Sequence, residues 1–261
     1  MPVLVRQFGM LMRNTLLEAV RNKLLYGVLL FGVLVLASTG LFGAMSLHQE
    51  ERVFRDLVLF FSTVFLAGLA TYQGVRAMQH EVETHTIFTV LSKPVSPTIF
   101  VIGKYLGSLL AIFIALLIIV ALKVGAALVM GFEIDLNWLW AYYTAFLQLA
   151  IVVGLAILFS SFSSPLLSAL LTIGVFIGGS LTPQLQEAIA FFAKQDNPAR
   201  YVAEAAVFIL PDIEKLNLSF ELTHSLPISA QYLTVASSYA LTYTGILLFL
   251  ACLIFERREF S

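Results

Sequence analysis

Apolar runs long enough to cross a bilayer follow one another along this chain, and they leave few folds open to it. Runs at residues 24–46, 57–79, 100–130, 138–162, 165–182 and 233–255 carry almost no charge. A span needs roughly 20 mostly apolar residues. Lipid offers no water to backbone polar groups, so each run must be a helix or a strand of a closed barrel. The runs are apolar on most faces and lack strict alternation, which favours helices. The expected fold is an all-α integral membrane protein with six transmembrane helices in a single domain, 1–261. Composition agrees: 59% hydrophobic and 12% charged, where soluble chains average about 45–50% and about 25%. The third run is too long for a straight crossing, reaching about 45 Å at 1.5 Å per residue, so it must tilt or project from the membrane.

Residues 1–23 have a different pattern. Leu4, Phe8, Leu11, Met12, Leu16, Ala19 and Val20 recur at helical spacing, with Arg6, Gln7, Arg13, Asn14, Arg21 and Asn22 largely between them. That predicts an amphipathic helix lying in the membrane interface; a helix packed on a soluble partner is the other reading. The basic region, short core and cleavage site of a signal peptide are not expected here.

Charge suggests an orientation. With the N-terminus inside, the inner segments hold nine basic and five acidic residues, and the outer segments five basic and eleven acidic. The positive-inside rule then puts both termini in the cytoplasm. Residues 80–98 become a cytoplasmic loop, and 183–232 an outer segment. Two amphipathic stretches there, "PQLQEAIAFFAK" and "PARYVAEAAVFILP", each begin with proline, which suits a first helical turn. They read as short re-entrant or interfacial helices on the outer leaflet, the second ended by Pro211.

Catalytic signatures are missing from the sequence. "GKYLGS" contains a Gly-Lys pair but lacks the upstream glycine and following Ser/Thr of a phosphate-binding loop. HExxH, CxxC and GxSxG do not occur. His48, His80, His85 and His224 are scattered, so no metal site is expected. The one cysteine, Cys252, allows no intrachain disulfide and reads as a packing residue. No Asp or Glu occupies a span centre, whereas an ion-coupled carrier usually buries carboxylates near the midplane. Lys123 is expected to reach the outer surface by its stem. Gln148 reads as an interhelical hydrogen-bonding residue, or a residue of a substrate path.

The stretch "EVETHTIFTVLSKPVSPTIFVIGKYLG", Glu81 to Gly107, resembles the cytoplasmic loop of type-2 ABC exporter permeases. The family pattern holds an acidic residue, a Thr, a "lLskPvsR" run and a "GKylG" helix start between its second and third spans. The basic N-terminal helix, the long outer segment with "LP", and "FERREF" near the C-terminus are similar to it too. One departure is Pro97, where the family often has arginine.

The resemblance implies a membrane subunit of an ATP-driven exporter in a bacterial inner membrane. It implies a second permease subunit, identical or paralogous, and a pair of cytoplasmic ATPases holding ATP and Mg; no cofactor and no enzyme activity are expected in this chain, and accessory envelope proteins are possible partners. The loop would be a coupling helix docked in the ATPase. Its apolar anchors would be Val82, Ile87, Phe88 and Leu91, its polar rim Glu81, Glu83, Thr84 and Thr86, and its end Lys93 and Pro94. An apolar centre within a polar rim is the usual form of a binding hot spot. In the fifth span Gly174, Gly178 and Gly179 permit close helix approach, across a dimer or within one subunit. A secondary carrier, a channel and a non-transporting membrane scaffold are the alternatives.

Overall fold

The computed structural model describes residues 2–21, 24–43, 50–83, 97–132, 137–195, 198–223, 226 and 228–259. In chain order these form α1 (Pro2–Arg21), α2 (Leu24–Gly43), α3 (Glu50–Glu83), α4 (Pro97–Met130) and α5 (Asn137–Ser160). There follow α6 (Pro165–Ser180), α7 (Thr182–Lys194), α8 (Ala199–Ile209), a 3-10 turn at Glu214–Leu216, α9 (Ser219–Thr223) and α10 (Ala230–Glu259). No strand occurs among the described residues.

The core is α5. Leu149, Ile151, Val152, Val153, Ala156 and Ile157 are fully enclosed, because α3, α4, α6 and α10 all pack on this helix. Every residue from Leu147 to Leu158 is buried, and this stretch has no polar face to turn outward, whereas Leu139 and Tyr143 near the helix start stay exposed. Close approach is made at glycines. A Cβ on Gly74 of α3 would lie 2.6 Å from Ala156 Cβ and 3.3 Å from Val153 O. Gly154 of α5 takes Leu247 of α10 in the same way, at 3.3 Å. Small residues at such crossings let backbones meet and increase dispersion contact, the main attraction between helices in lipid.

Four helices among the described residues are long and apolar enough to cross a membrane: Asp56–Gln79, Pro97–Met130, Asn137–Ser160 and Ala230–Glu256. The fifth expected span, 165–182, falls on α6, which is short for a crossing. α6 has 16 residues, about 24 Å of helix, against a hydrocarbon core of about 30 Å. The chain then turns by 63° into α7. The turn is made at Leu181, whose N–H bonds back to Ile177 O and Gly178 O while Thr182 Oγ1 donates to Gly179 O at 2.8 Å. Pro183 then falls in the first turn of α7, where its missing N–H costs nothing. The pair is a broken span or a re-entrant loop. The first expected span falls on α2, whose described apolar part is Tyr26–Val35.

α3 and α4 have 34 residues each, or about 50 Å, so both outrun the hydrocarbon core. α1 lies along the start of α4. Leu11 packs over Gly103, and Thr15 and Met12 over Gly107. The buried face of α1 includes Thr15 and Ala19, while Met10, Leu17 and Val20 stay exposed. The amphipathic helix is thus seated on its own bundle.

Lys123 corrects a sequence expectation. It does not reach outward; it is fully enclosed, with Nζ 4.0 Å from the Trp138 ring centroid and 5.2 Å from that of Tyr142. Two aromatic faces of α5 give the ammonium a cation–π setting inside the bundle.

A Cβ at Gly107 would stand 2.6 Å from Thr15 Cβ and 2.9 Å from Met12 O, a backbone atom that cannot swing aside. Gly107→Ala should therefore cost about 1–3 kcal/mol by overpacking and lower the melting temperature in detergent by several degrees. Gly174 has open space around it, so Gly174→Ala should leave melting unchanged or slightly raised, since alanine is the better helix former.

Candidate functional site

The bundle has two distinguishable ends. At the first, α3 stops and α4 starts, α1 crosses the opening turns of α4, and Phe255 near the end of α10 stacks on Phe100 with centroids 5.3 Å apart. The α5–α6 turn lies here as well, because Gln79 Nε2 donates to Ser163 O at 2.9 Å and Ser160 O at 3.4 Å. The connection from α3 to α4 therefore leaves and returns at the end that gathers α1 and the last turns of α10.

The foot of α4 is firmly held. Phe100, Val101, Gly103, Lys104, Tyr105, Gly107 and Ser108 are buried. Lys104 is 1% exposed, with Nζ 5.7 Å from the Phe100 ring centroid. Pro97 opens the helix, the position where a missing N–H is least costly. Of the expected docking residues, Glu81, Val82 and Glu83 fall in the final turn of α3. Thr84, Thr86, Ile87, Phe88, Leu91, Lys93 and Pro94 lie outside the described residues.

At the second end a connector follows α8. Pro211 biases its predecessor to extended backbone, and Leu210 (φ −74°, ψ 142°) ends the helix. The connector is pinned by three tyrosines of α10. Tyr243 OH donates to Ile209 O at 3.1 Å, Asp212 N–H donates to Tyr239 OH at 2.8 Å, and Tyr232 OH donates to Lys215 O. Spacings of seven and four put the three on one helix face. Sequence reading missed this set, although the spacing was there to find.

Gln148, buried at mid-helix in α5, donates from Nε2 to Ile213 O at 3.3 Å. Its partner is thus the connector rather than another span. The three glycines divide. Gly178 meets Leu210 and Gly179 meets Pro211 O and Ile213, all in the same chain, whereas Gly174 faces open space.

Between α3, α6 and the connector lies a cavity of about 330 Å³, bounded by Phe60, Val64, Phe176, Ile177, Gln148 and Glu214. Burial first, then the Asp212 and Glu221 carboxylates, raise the Glu214 carboxyl above the ordinary range, while Asn217 Nδ2, donating at 3.0 Å, works the other way. Lys215 is held above the usual lysine range by its hydrogen bond to Asp212, Nζ to Oδ2 2.9 Å. A larger hollow of about 640 Å³ between α4 and α5 is walled by Phe113, Leu117, Val120, Leu139 and Phe146, a surface suited to hydrocarbon. Among the described residues no group of three or more His, Cys, Asp or Glu is placed to hold a metal.

The family model described as ABC-2 family transporter protein matches residues 21–259. No curated protein matches the chain significantly.

The tyrosine ladder predicts a local weakness. Tyr239→Phe removes the acceptor of Asp212 N–H, at an expected cost of about 1 kcal/mol. Lys215 is 71% exposed, so trypsin should cut after it faster in Tyr239→Phe than in the wild type, with the other tryptic sites unchanged.

Proposed function

The chain belongs to the ABC-2 transporter family, and on that footing we propose that it is the membrane-spanning permease subunit of an ATP-driven exporter. Two separate cytoplasmic ATPase subunits supply the energy, and a second permease subunit completes the path. The chain lies in a bacterial inner membrane with both termini, α1 and residues 80–98 on the cytoplasmic side. α2 and α6 complete six crossings, α7 continuing α6 across its bend into the outer leaflet, and α8 lies on that leaflet.

The observation that carries the reading is the junction of α3 and α4. Two helices longer than the hydrocarbon core flank the polar run "HEVETHTIFTVLSKPVSP". The foot of α4 is clamped by α1 and Phe255, so a push on the loop reaches a block of three helices rather than a flexible hinge. The spans hold no buried Asp or Glu among the described residues, which gives an ion-coupled carrier little support.

Glu83→Ala combined with Phe88→Ala removes a rim charge and an apolar anchor together. The ATPase retained on the purified permease should fall about tenfold or more, as for loss of a hot spot, with the permease itself still monodisperse in detergent. Full retention together with full stimulation of ATP hydrolysis would rule the coupling role out.

A further inference from the structure

The cavity beside Glu214 has a chemical bias that the transport reading does not use. Its apolar walls are partly open: Phe60, Val64 and Ile177 are 62%, 48% and 52% exposed, so the hollow opens sideways between α3 and α6. Its polar part is different in kind. Asn217 Nδ2 donates to Glu214 Oε1 at 3.0 Å. Ser219 N–H and Oγ donate to Asn217 Oδ1 at 3.1 and 2.6 Å. Gln148 Nε2 donates to Ile213 O, and Ser180 Oγ to Phe176 O at 2.9 Å. Much of the donor capacity of this wall is engaged within the protein, the Thr63 hydroxyl and the second amide hydrogens of Asn217 and Gln148 aside, and the nearby ammonium of Lys215 lies against Asp212.

What sets this wall apart for a visitor, beside those neutral groups, is the carboxylate of Glu214. An ionised carboxylate has about four lone-pair sites, and one of those on Glu214 is taken by Asn217. An anion would meet like charge, since Asp212 and Glu221 act on Glu214 in the same sense as its own burial. A neutral apolar molecule would leave the carboxylate desolvated against it. A cation avoids both, and Phe60 and Phe176, which line the same cavity, are side chains whose faces attract one.

We propose that this cavity binds the positively charged head of an amphiphile, with Glu214 as its counter-ion and the open wall of Phe60, Val64 and Ile177 taking the apolar body. Its size fits a small organic cation, at the lower end of the roughly 300–1,000 Å³ usual for ligand pockets. The site needs neither ATP nor an ATPase, so it stands or falls separately from the coupling loop.

The test uses the full chain in dodecyl maltoside micelles, whose head carries no charge, with benzyltrimethylammonium as probe and its uncharged carbon isostere, neopentylbenzene, as control. The wild type should bind the ammonium saturably and more tightly than the isostere. Glu214→Gln keeps an acceptor for Asn217 and should weaken the ammonium about tenfold or more without changing the isostere. Glu214→Asp should keep most of the binding, and Ile177→Trp, which crowds the opening, should weaken both probes. The proposal is overturned by absence of saturable binding to the wild type, by equal affinity for the two probes, or by undiminished binding to Glu214→Gln. Displacement of the ammonium by an equal concentration of calcium chloride would likewise overturn it, giving the site to an inorganic ion.

Discussion

The fit of α3 against α5 at Gly74 is the contact on which the rest of this bundle depends. Inside lipid there is no solvent gain from bringing two apolar helices together, so association must come from close packing. With Ala156 Cβ 2.6 Å from where a Cβ would stand, the two backbones are as near as side chains allow. That closeness encloses α5, and an enclosed α5 gives α4, α6 and α10 a common surface. Gly154 repeats the device toward α10, and Gly103 and Gly107 repeat it between α4 and α1. The bundle is keyed at small residues, and its large side chains fill what remains.

Two distinct ends follow from this packing. At one, α4 is clamped by α1 and by the Phe100–Phe255 stack, and Gln79 ties α3 to the α5–α6 turn. At the other, the connector is tied to α10 by Tyr232, Tyr239 and Tyr243, and to α5 by Gln148. α3 and α4 run the whole distance between the ends. The Glu214 cavity opens at this second end, between α3 and α6.

Local pattern carried much of this into the sequence. The long third run became α4, with Pro97 at its start; the amphipathic N-terminus became α1, and the two proline-led stretches became α7 and α8. Features set by distant partners were hidden. The break after the apolar run 165–182 was legible in Pro183, but the 63° angle of the bend at Leu181 was not, because hydropathy carries no direction. Lys123 looked like a residue seeking water, since the aromatic faces that enclose it arrive only with Trp138 and Tyr142 of the next helix. Glu214 was one acidic residue among many, and only the fold sets it against a cavity. The docking residues from Thr84 to Pro94 lie outside the described residues, so their part in the account rests on sequence and family.

The central claim is that energy enters through that loop. A photo-reactive amino acid placed at Phe88 in intact cells, with the same label at Phe208 of α8 as control, tests it most directly. The account predicts a cross-link from position 88 to an ATPase subunit and none from position 208. Absence of any ATPase adduct at 88, or an equal yield from 208, would contradict it.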